Sequence, residues 1–466
     1  MASQFVSSSD IRAQFSQRMS NMYRAEVPAY GDLLNLVSEI NAESISKNTS
    51  LVDSLESSNG LERVSQERHG AIRLGTPNEL NIICRIFKIM GMFPVGYYDL
   101  AAAGIPVHST AFRPINAESL AVNPFRMFTS LLRLDLIEDQ DLVSQASKIL
   151  HQRQIFSNDA LDLLDKAESV GGLSETESSD FINAVVETFR WQQEANVTLE
   201  TYEKLHEAHR LVADIVCFKG PHINHLTPRT LDIDLAHESM KRYGIVPKET
   251  IEGPPQRQCP ILLRQTSFKA IEEAVLFTDD KGGGVEGFHT ARFGEIEQRG
   301  IALTPKGKGL YDRLLNNSKH QDVSLAEAFS GFPDSWHEIR EQELAYFHYS
   351  WVDGTEPPKM LAGSSTVIPD NQHAVIPDND PGSQQINRKE LDNLINDGVI
   401  RFDPIIYEDF LPVSAAGIFK SNLGESANQT FGSVSNRDEF EEALGEKVLD
   451  PFQLYQAIED ETIKSL

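Results

Sequence analysis

Two stretches of the chain say nearly the same thing, and each places a histidine at the same point. The first runs Glu67-Arg68-His69-Gly70-Ala71-Ile72-Arg73-Leu74-Gly75-Thr76-Pro77, continues in a helical pattern, and reaches Gly91 before Met92-Phe93-Pro94-Val95. The second runs Ile223-Asn224-His225-Leu226-Thr227-Pro228, continues in another helical pattern, and reaches Gly244 before Ile245-Val246-Pro247-Lys248. In each, an extended segment carries the histidine, a Thr-Pro pair is expected to start a helix, a glycine to end it, and a strand to follow. A lone histidine in a strand is more often a hydrogen-bonded core residue than a ligand. Independent core histidines, however, have no reason to coincide in a repeat, so His69 and His225 point to a metal shared between two strand-helix-strand units.

A third ligand is then expected from a carboxylate on another strand. Phe293-Gly294-Glu295-Ile296-Glu297-Gln298-Arg299-Gly300 offers two, because strand alternation puts Phe293, Glu295, Glu297 and Arg299 on one face. Both glutamates face the same way, so one can bind metal while the other pairs with Arg299. Two histidines and one carboxylate make a facial triad that leaves three positions of an octahedral Fe(II) open, which suits an oxygenase better than a structural zinc site. Arg73 lies four residues after His69. Strand parity returns it to the same face, about 13 Å along if fully extended. A guanidinium there can hold the far carboxylate of a dicarboxylic acid whose near end chelates the metal; the plain alternative is a salt bridge.

The remaining histidines have weaker context. His222 falls on the opposite strand face by parity, His289 lies six residues before Glu295, and His206 and His209 sit on a polar helical stretch and are read as exposed. Gly282-Gly283-Gly284 lacks the Lys-Ser/Thr of a phosphate loop and reads as a turn.

The elements that position these residues divide the chain into six segments. Residues 1–60 read as an N-terminal helical cap and 61–117 as the first metal-binding module, in which Thr76, Pro77 and Glu79 form a capping-box start and Val107 to Arg113 alternates as a strand. Residues 118–210 read as an acidic helical insertion, and 211–352 as the second metal-binding module, beginning at Leu211-Val212-Ala213-Asp214-Ile215-Val216. Residues 353–385 repeat Val-Ile-Pro-Asp-Asn within a Pro-, Gly- and Asp-rich run and read as a polar loop or linker. Residues 386–466 read as a C-terminal module completing the pocket.

The chain has 466 residues and a formal net charge of -27, which argues against nucleic acid or an anionic membrane as partner. No apolar run approaches the roughly 20 residues needed to span a bilayer. Cytoplasm is the expected location, although the Ser-rich start with Arg12, Arg18 and Arg24 also admits an organelle-targeting reading. Cys84, Cys217 and Cys259 are scattered and read as reduced core thiols. Oligomeric state is not legible.

The His-Leu-Thr-Pro piece, the helix-Gly-strand after it and the Phe293–Gly300 stretch resemble the vicinal oxygen chelate superfamily. The last is similar to the Phe-Leu-Glu-Ile-Ile-Gln-Arg stretch of 4-hydroxyphenylpyruvate dioxygenases, whose first glutamate binds iron, and that likeness selects Glu295. Over nearly the whole chain, Arg68–Arg73, His222–Pro228, Phe293–Thr304 and Leu411–Phe419 resemble the 2-oxoadipate dioxygenase/decarboxylase (D-2-hydroxyglutarate synthase) family. The resemblance implies an α+β fold in which duplicated βαβββ modules form a curved mixed sheet around the metal, with large helical insertions. It implies a non-haem Fe(II) enzyme that converts 2-oxoadipate and O2 to (R)-2-hydroxyglutarate and CO2 in lysine breakdown. His69, His225 and Glu295 would be the iron ligands, with Arg73 on the distal carboxylate and Val413 and Ser414 in the substrate-contacting stretch. A lyase of the same superfamily, an aromatic 2-oxo acid dioxygenase, or a non-catalytic binding protein of that fold are the rival readings.

Overall fold

The structure is a computed structural model, described for residues 5–48, 60–279, 283–320, 323–352, 386–411 and 436–466. Two compact units form within it. The larger takes residues up to Gln256 with Leu263–Arg299 and Glu408–Pro451; the smaller takes Arg257–Leu262, Gly300–Tyr407 and Phe452–Leu466.

The strands are β1 (Arg68–Leu74), β2 (Phe93–Asp99), β3 (Val107–Arg113), β4 (Arg126–Leu132), β5 (Glu194–Thr198), β6 (His225–Pro228), β7 (Leu263–Ser267), β8 (Glu272–Thr278), β9 (Gly284–Thr290), β10 (Glu295–Arg299), β11 (Phe347–Trp351) and β12 (Ile400–Pro404). The central sheet of the larger unit has the order β2-β3-β4-β1-β6, with β1 parallel to β4 and antiparallel to β6. A parallel bridge from Arg229 to Glu297, with the Thr230 amide donating to the Glu297 carbonyl at 2.7 Å, carries the sheet on to the β10-β7 pair.

This order is the same module used twice. In the first copy β1 leads through the helix Pro77–Ile89 to β2, β3 and β4, and the last strand returns parallel beside the first. In the second, β6 leads through the helix Ile233–Ser239 to a bridge at Pro247–Phe268, then β7 and β10, and β10 again lies parallel beside β6. The fold is α+β with two βαβββ modules sharing one mixed sheet. Both module helices give way to a left-handed glycine, Gly91 at φ 65° and Gly244 at φ 70°, a conformation that costs an L side chain its Cβ contacts.

The two helix starts differ. Thr76 accepts from the Glu79 amide at 3.2 Å while Glu79 reaches back to the Thr76 amide, a complete capping box with Pro77 behind it. Thr227-Pro228, expected to play this part in the second copy, instead ends β6, and the helix starts five residues later at Ile233 under an Asp232 cap. Pro228 supplies no ladder N–H, which a strand end tolerates.

The segment from 118, read as helical, also holds two strands, β4, whose side chains are buried at every position, after the short helix Ala117–Val122, and β5. Helices follow at Gln140–Gln152, Asn158–Val170, Glu175–Glu187 and Leu199–Ala208. The helices Asn158–Val170, Glu175–Glu187 and the N-terminal Ser8–Glu26 pack on one sheet face, where Ile72, Leu74 and Met127 meet Phe15, Met19, Leu80, Ile83 and Phe87 in one core, while Gln140–Gln152 and Leu199–Ala208 join Ala71 and Phe128 in a core on the other face. Arg12, fully buried, donates to the carbonyls of Met90, Ser119 and Asn123, each at 2.8 Å, tying the end of the helix Pro77–Ile89 to the chain that leads into β4. This gives one of the N-terminal arginines a structural task. Among the described residues no helix is long and apolar enough to cross a membrane.

In the smaller unit β11 pairs antiparallel with β12, and Ala302, Tyr346, Ile405 and Tyr455 form a core of their own.

The capping box predicts a local effect. Thr76→Ala should cost about 1 kcal/mol, read as a lower urea midpoint with an unchanged slope; a midpoint equal to wild type would show that Glu79 alone holds the helix start.

Candidate metal centre

The pairing register explains how three distant residues meet. In the antiparallel β1-β6 ladder His69 stands opposite Thr227 and Ala71 opposite His225, so His69, Arg73, His225 and Thr227 project from one sheet face. The Arg229–Glu297 bridge, stepped back two residues, sets Glu295 beside Thr227 on that face, and the Thr227 hydroxyl donates to Glu295 Oε1 at 2.9 Å. Gln265, on the other flank, donates to the same oxygen at 2.8 Å.

The result is a buried cluster. His69 Nε2 is 3.1 Å and His225 Nε2 3.8 Å from Glu295 Oε1, and one ligand atom from each residue lies within 4.8 Å of the others. All three side chains are 0% exposed. Yet both nitrogens of His225 and Glu295 Oε2 make no hydrogen bond among the described residues, and neither His69 nitrogen makes one of good geometry. Buried polar atoms left unmade cost about 1–3 kcal/mol each. Two imidazoles and a carboxylate aimed at one point with unsatisfied lone pairs are what a divalent cation requires, and this donor set fits one.

His69 Nδ1 faces Glu297 Oε2 at 2.9 Å. With its proton there, the ring presents the Nε2 lone pair to the cluster. Burial disfavours the His69 cation, but Glu297 and Glu295 outweigh it and raise the pKa. Burial drives His225 the other way, well below the ordinary range, with His69, Arg73 and Lys248 adding to it. Lys248, itself pushed down to about 7 by burial against the pull of Glu252 and Glu295, lies 5.9 Å from the Phe293 ring that packs on His225.

Behind His69 is a lattice of buried charges. Glu297 pairs with Arg299 at 2.7 Å. Glu67 takes Arg126 at 2.7 Å and Arg229 at 2.9 Å. Glu408 takes Arg63 at 2.6 Å and also Arg126. Asp409 takes Arg113 at 2.7 Å. Burial would raise Glu408, but Arg126 and Arg63 hold it down at about 2.

The chain matches the family model for 2-oxoadipate dioxygenase/decarboxylase over residues 15–422. The chain belongs to the 2-oxoadipate dioxygenase/decarboxylase family. It is 52% identical to the enzyme of that name from Escherichia coli, covering 98% of this chain and 97% of the relative, and 50% identical to that from Pseudomonas putida, covering 100% and 97%. The crystal structure of the Pseudomonas putida hydroxyglutarate synthase in complex with 2-oxoadipate superposes with a TM-score of 0.84 at 47% identity, covering 100% of this chain and 98% of that one.

Against the sequence expectations, His69, His225 and Glu295 come together, Glu297 is the glutamate that pairs with Arg299, and Arg73 shares their face. Val413 and Ser414, expected at the substrate, lie outside the described residues, as does the loop at 353–385. His209, read as exposed, is buried as the cap of the helix Arg210–Val216. His108 packs on Phe440, away from the cluster, and burial lowers it to about 3. Sequence reasoning missed a second grouping, Asp214 with His222 and His289; the only signal was a lone acid inside an otherwise apolar run.

The lattice predicts two outcomes. Arg126→Met leaves Glu67 and Glu408 short of a counter-charge and should cost about 3–5 kcal/mol in denaturant unfolding. Glu408 is depressed when folded, so its contribution is fully present above its ordinary pKa of 4.5 and is lost as pH falls through about 2. The stability difference between wild type and Glu408→Gln, read by denaturant unfolding from neutral to acid pH, should be constant above about 4.5 and shrink as pH falls towards about 2; a difference that already shrinks near neutrality would contradict it.

Proposed function

We propose that the protein is an Fe(II)-dependent 2-oxoadipate dioxygenase/decarboxylase, which takes 2-oxoadipate and O2 to 2-hydroxyglutarate and CO2. The observation that carries this is the convergence of His69 Nε2, His225 and Glu295 on one buried point with their ligand atoms unsatisfied. Membership of the family and the 2-oxoadipate held by the Pseudomonas putida relative supply the substrate. The reaction balances: the C1–C2 bond breaks, C1 leaves as CO2, one oxygen atom makes C2 a carboxylate, and the other becomes the hydroxyl on C3.

His69, His225 and Glu295 would hold the metal as a facial triad. Fe(II), when bound, supplies open positions for the 2-oxo acid and the electrons that let O2 react. Glu297 keeps the His69 proton on Nδ1, so that Nε2 stays available as a donor. Thr227 and Gln265 both donate to Glu295 Oε1, the oxygen that lies 3.1 Å from His69 Nε2 and 3.8 Å from His225 Nε2, and so fix the carboxylate in the cluster, while Oε2 makes no hydrogen bond among the described residues. Phe410, 4.9 Å from the His69 ring, and Phe128, 5.4 Å from Phe410, form an apolar wall that keeps water from the reacting end.

Arg73 would hold the distal carboxylate. It is buried on the triad's face, and its charge is felt at His225. Holding the far end fixes which carbon meets the reacting oxygen, a positioning effect whose loss can cost about 100-fold. Arg73 does not need to touch the metal to do this. The chiral outcome, the (R) product of the family resemblance, would follow from the same two-point attachment.

The test is anaerobic loading with Fe(II), addition of 2-oxoadipate, then O2, with CO2 and 2-hydroxyglutarate followed by chiral mass spectrometry. Stoichiometric, oxygen-dependent product is expected, lost in His69→Ala and Glu295→Gln together with bound iron. Arg73→Ala should retain iron and lose dicarboxylate turnover. No O2 consumption with any 2-oxo acid would overturn the reading in favour of a metal-dependent lyase or a binding protein.

A further inference from the structure

Arg73 is not alone on its side of the sheet. Its Nη1 donates to Asp214 Oδ2 at 2.6 Å, and the other oxygen of that carboxylate meets two imidazoles, His289 Nε2 at 2.8 Å and His222 Nε2 at 3.1 Å. Tyr202 completes the set, its hydroxyl 3.0 Å from His289 Nδ1. Arg73, Asp214, His222 and His289 are each no more than 6% exposed. Trp191 stands edge-on to His222 at 4.7 Å, and Phe218 packs on His289 at 4.7 Å, so neither ring can swing away from the carboxylate without opening this packing.

The same atoms could hold a metal ion, since Asp214, His222 and His289 present their ligand atoms close together. The hydrogen-bond inventory argues otherwise. A carboxylate accepts four bonds, and here Arg73 and the His289 N–H use two without any cation, with His222 Nε2 at 3.1 Å but making no hydrogen bond. In that arrangement His289 carries its proton on Nε2 and its Nδ1 accepts from the Tyr202 hydroxyl. A dication at this point would instead compete with a guanidinium for one carboxylate and be repelled by it.

An isolated arginine side chain has many rotamers, and aiming one at a substrate carries an entropic cost at every binding event. Tying one edge of the guanidinium to a carboxylate that is itself held from two further elements removes that freedom before the substrate arrives. We propose that Asp214, locked by His222 and His289, is a positioning residue that aims Arg73 at the far carboxylate and so makes the site prefer dicarboxylic over monocarboxylic 2-oxo acids. The inference rests on the role given to Arg73 under the proposed function. It deepens that reading: the element that carries the preference is the helix Arg210–Val216, outside both metal-binding strands.

The experiment compares wild type, Asp214→Asn, Arg73→Ala and the double variant with 2-oxoadipate and with 2-oxohexanoate, which lacks the distal carboxylate, alongside iron content. Asp214→Asn places an amide where Arg73 needs an anion, and should raise KM for 2-oxoadipate roughly 10- to 100-fold with bound iron and 2-oxohexanoate kinetics unchanged. The double variant should be no worse than Arg73→Ala. An unchanged KM in Asp214→Asn, while Arg73→Ala raises it, overturns the proposal and leaves the proposed function standing. An unchanged KM in Arg73→Ala removes the distal-carboxylate role itself and this proposal with it. A second equivalent of metal in wild type that Asp214→Asn abolishes would make the cluster a metal site and also overturn it. Should Asp214→Asn fail to fold, His289→Ala carries the test, with the same rise in KM expected and an unchanged KM overturning the proposal.

Discussion

The contact on which the site depends is the one between His69 Nδ1 and Glu297 Oε2, 2.9 Å apart with both side chains fully buried. An imidazole serves a metal only when its proton is on the far nitrogen, and a carboxylate held at that nitrogen keeps it there. Burying Glu297 is costly unless cations surround it. Arg299 answers Glu297 directly, and Glu67, Glu408 and Asp409 answer the arginines that this brings inside. The lattice thus follows from a single requirement at the first ligand. It also draws Glu408, Asp409 and Phe410 onto the sheet next to β1, where Phe410 walls the cluster.

The duplication explains why there are two histidines and one glutamate. In the second module Thr227, two residues after His225, stands beside Glu295. The corresponding position in the first module is Ala71, two residues after His69, and its partner on β4 is Phe128. A carboxylate there would put a second negative charge on the same face, drawing the cation away from three-ligand coordination. Phe128 puts an aromatic ring there, in contact with Phe410. One copy of the repeat gives a carboxylate and the other an apolar surface beside the cluster.

Much of this was readable in the residues. Each histidine announced itself because it recurred in a repeat, and the strand parity of Glu295, Glu297 and Arg299 held because alternation is a covalent property of extended chain. The capping box at Thr76 was legible for the same reason: its signal is local. What could not be read depends on pairing across the sheet. Arg126–Leu132 has few β-branched residues and looks helical alone; being buried on both faces between β1 and β3 makes it a strand. Thr227-Pro228 carries the letters of a helix start, yet pairing with His69 and Arg68 on β1 outweighs that local preference. Asp214 gave almost no signal, because its two hydrogen-bond partners are 141 and 75 residues away at Arg73 and His289.

The division of labour between Glu295 and Glu297, two residues apart on one face, shows where sequence ends and environment begins. The two carboxylates are identical in type, direction and burial. They differ in what the neighbouring strands bring to them. Glu295 meets a hydroxyl and an amide, Thr227 and Gln265, neutral donors that orient one oxygen and leave its negative charge uncompensated. Glu297 meets Arg299 through two bonds, at 2.7 and 3.0 Å, and its charge is spent on the protein. A buried carboxylate without a cationic partner calls for a cation from outside. Of the two, Glu295 alone is left with that demand, and it is the one placed between His69 and His225.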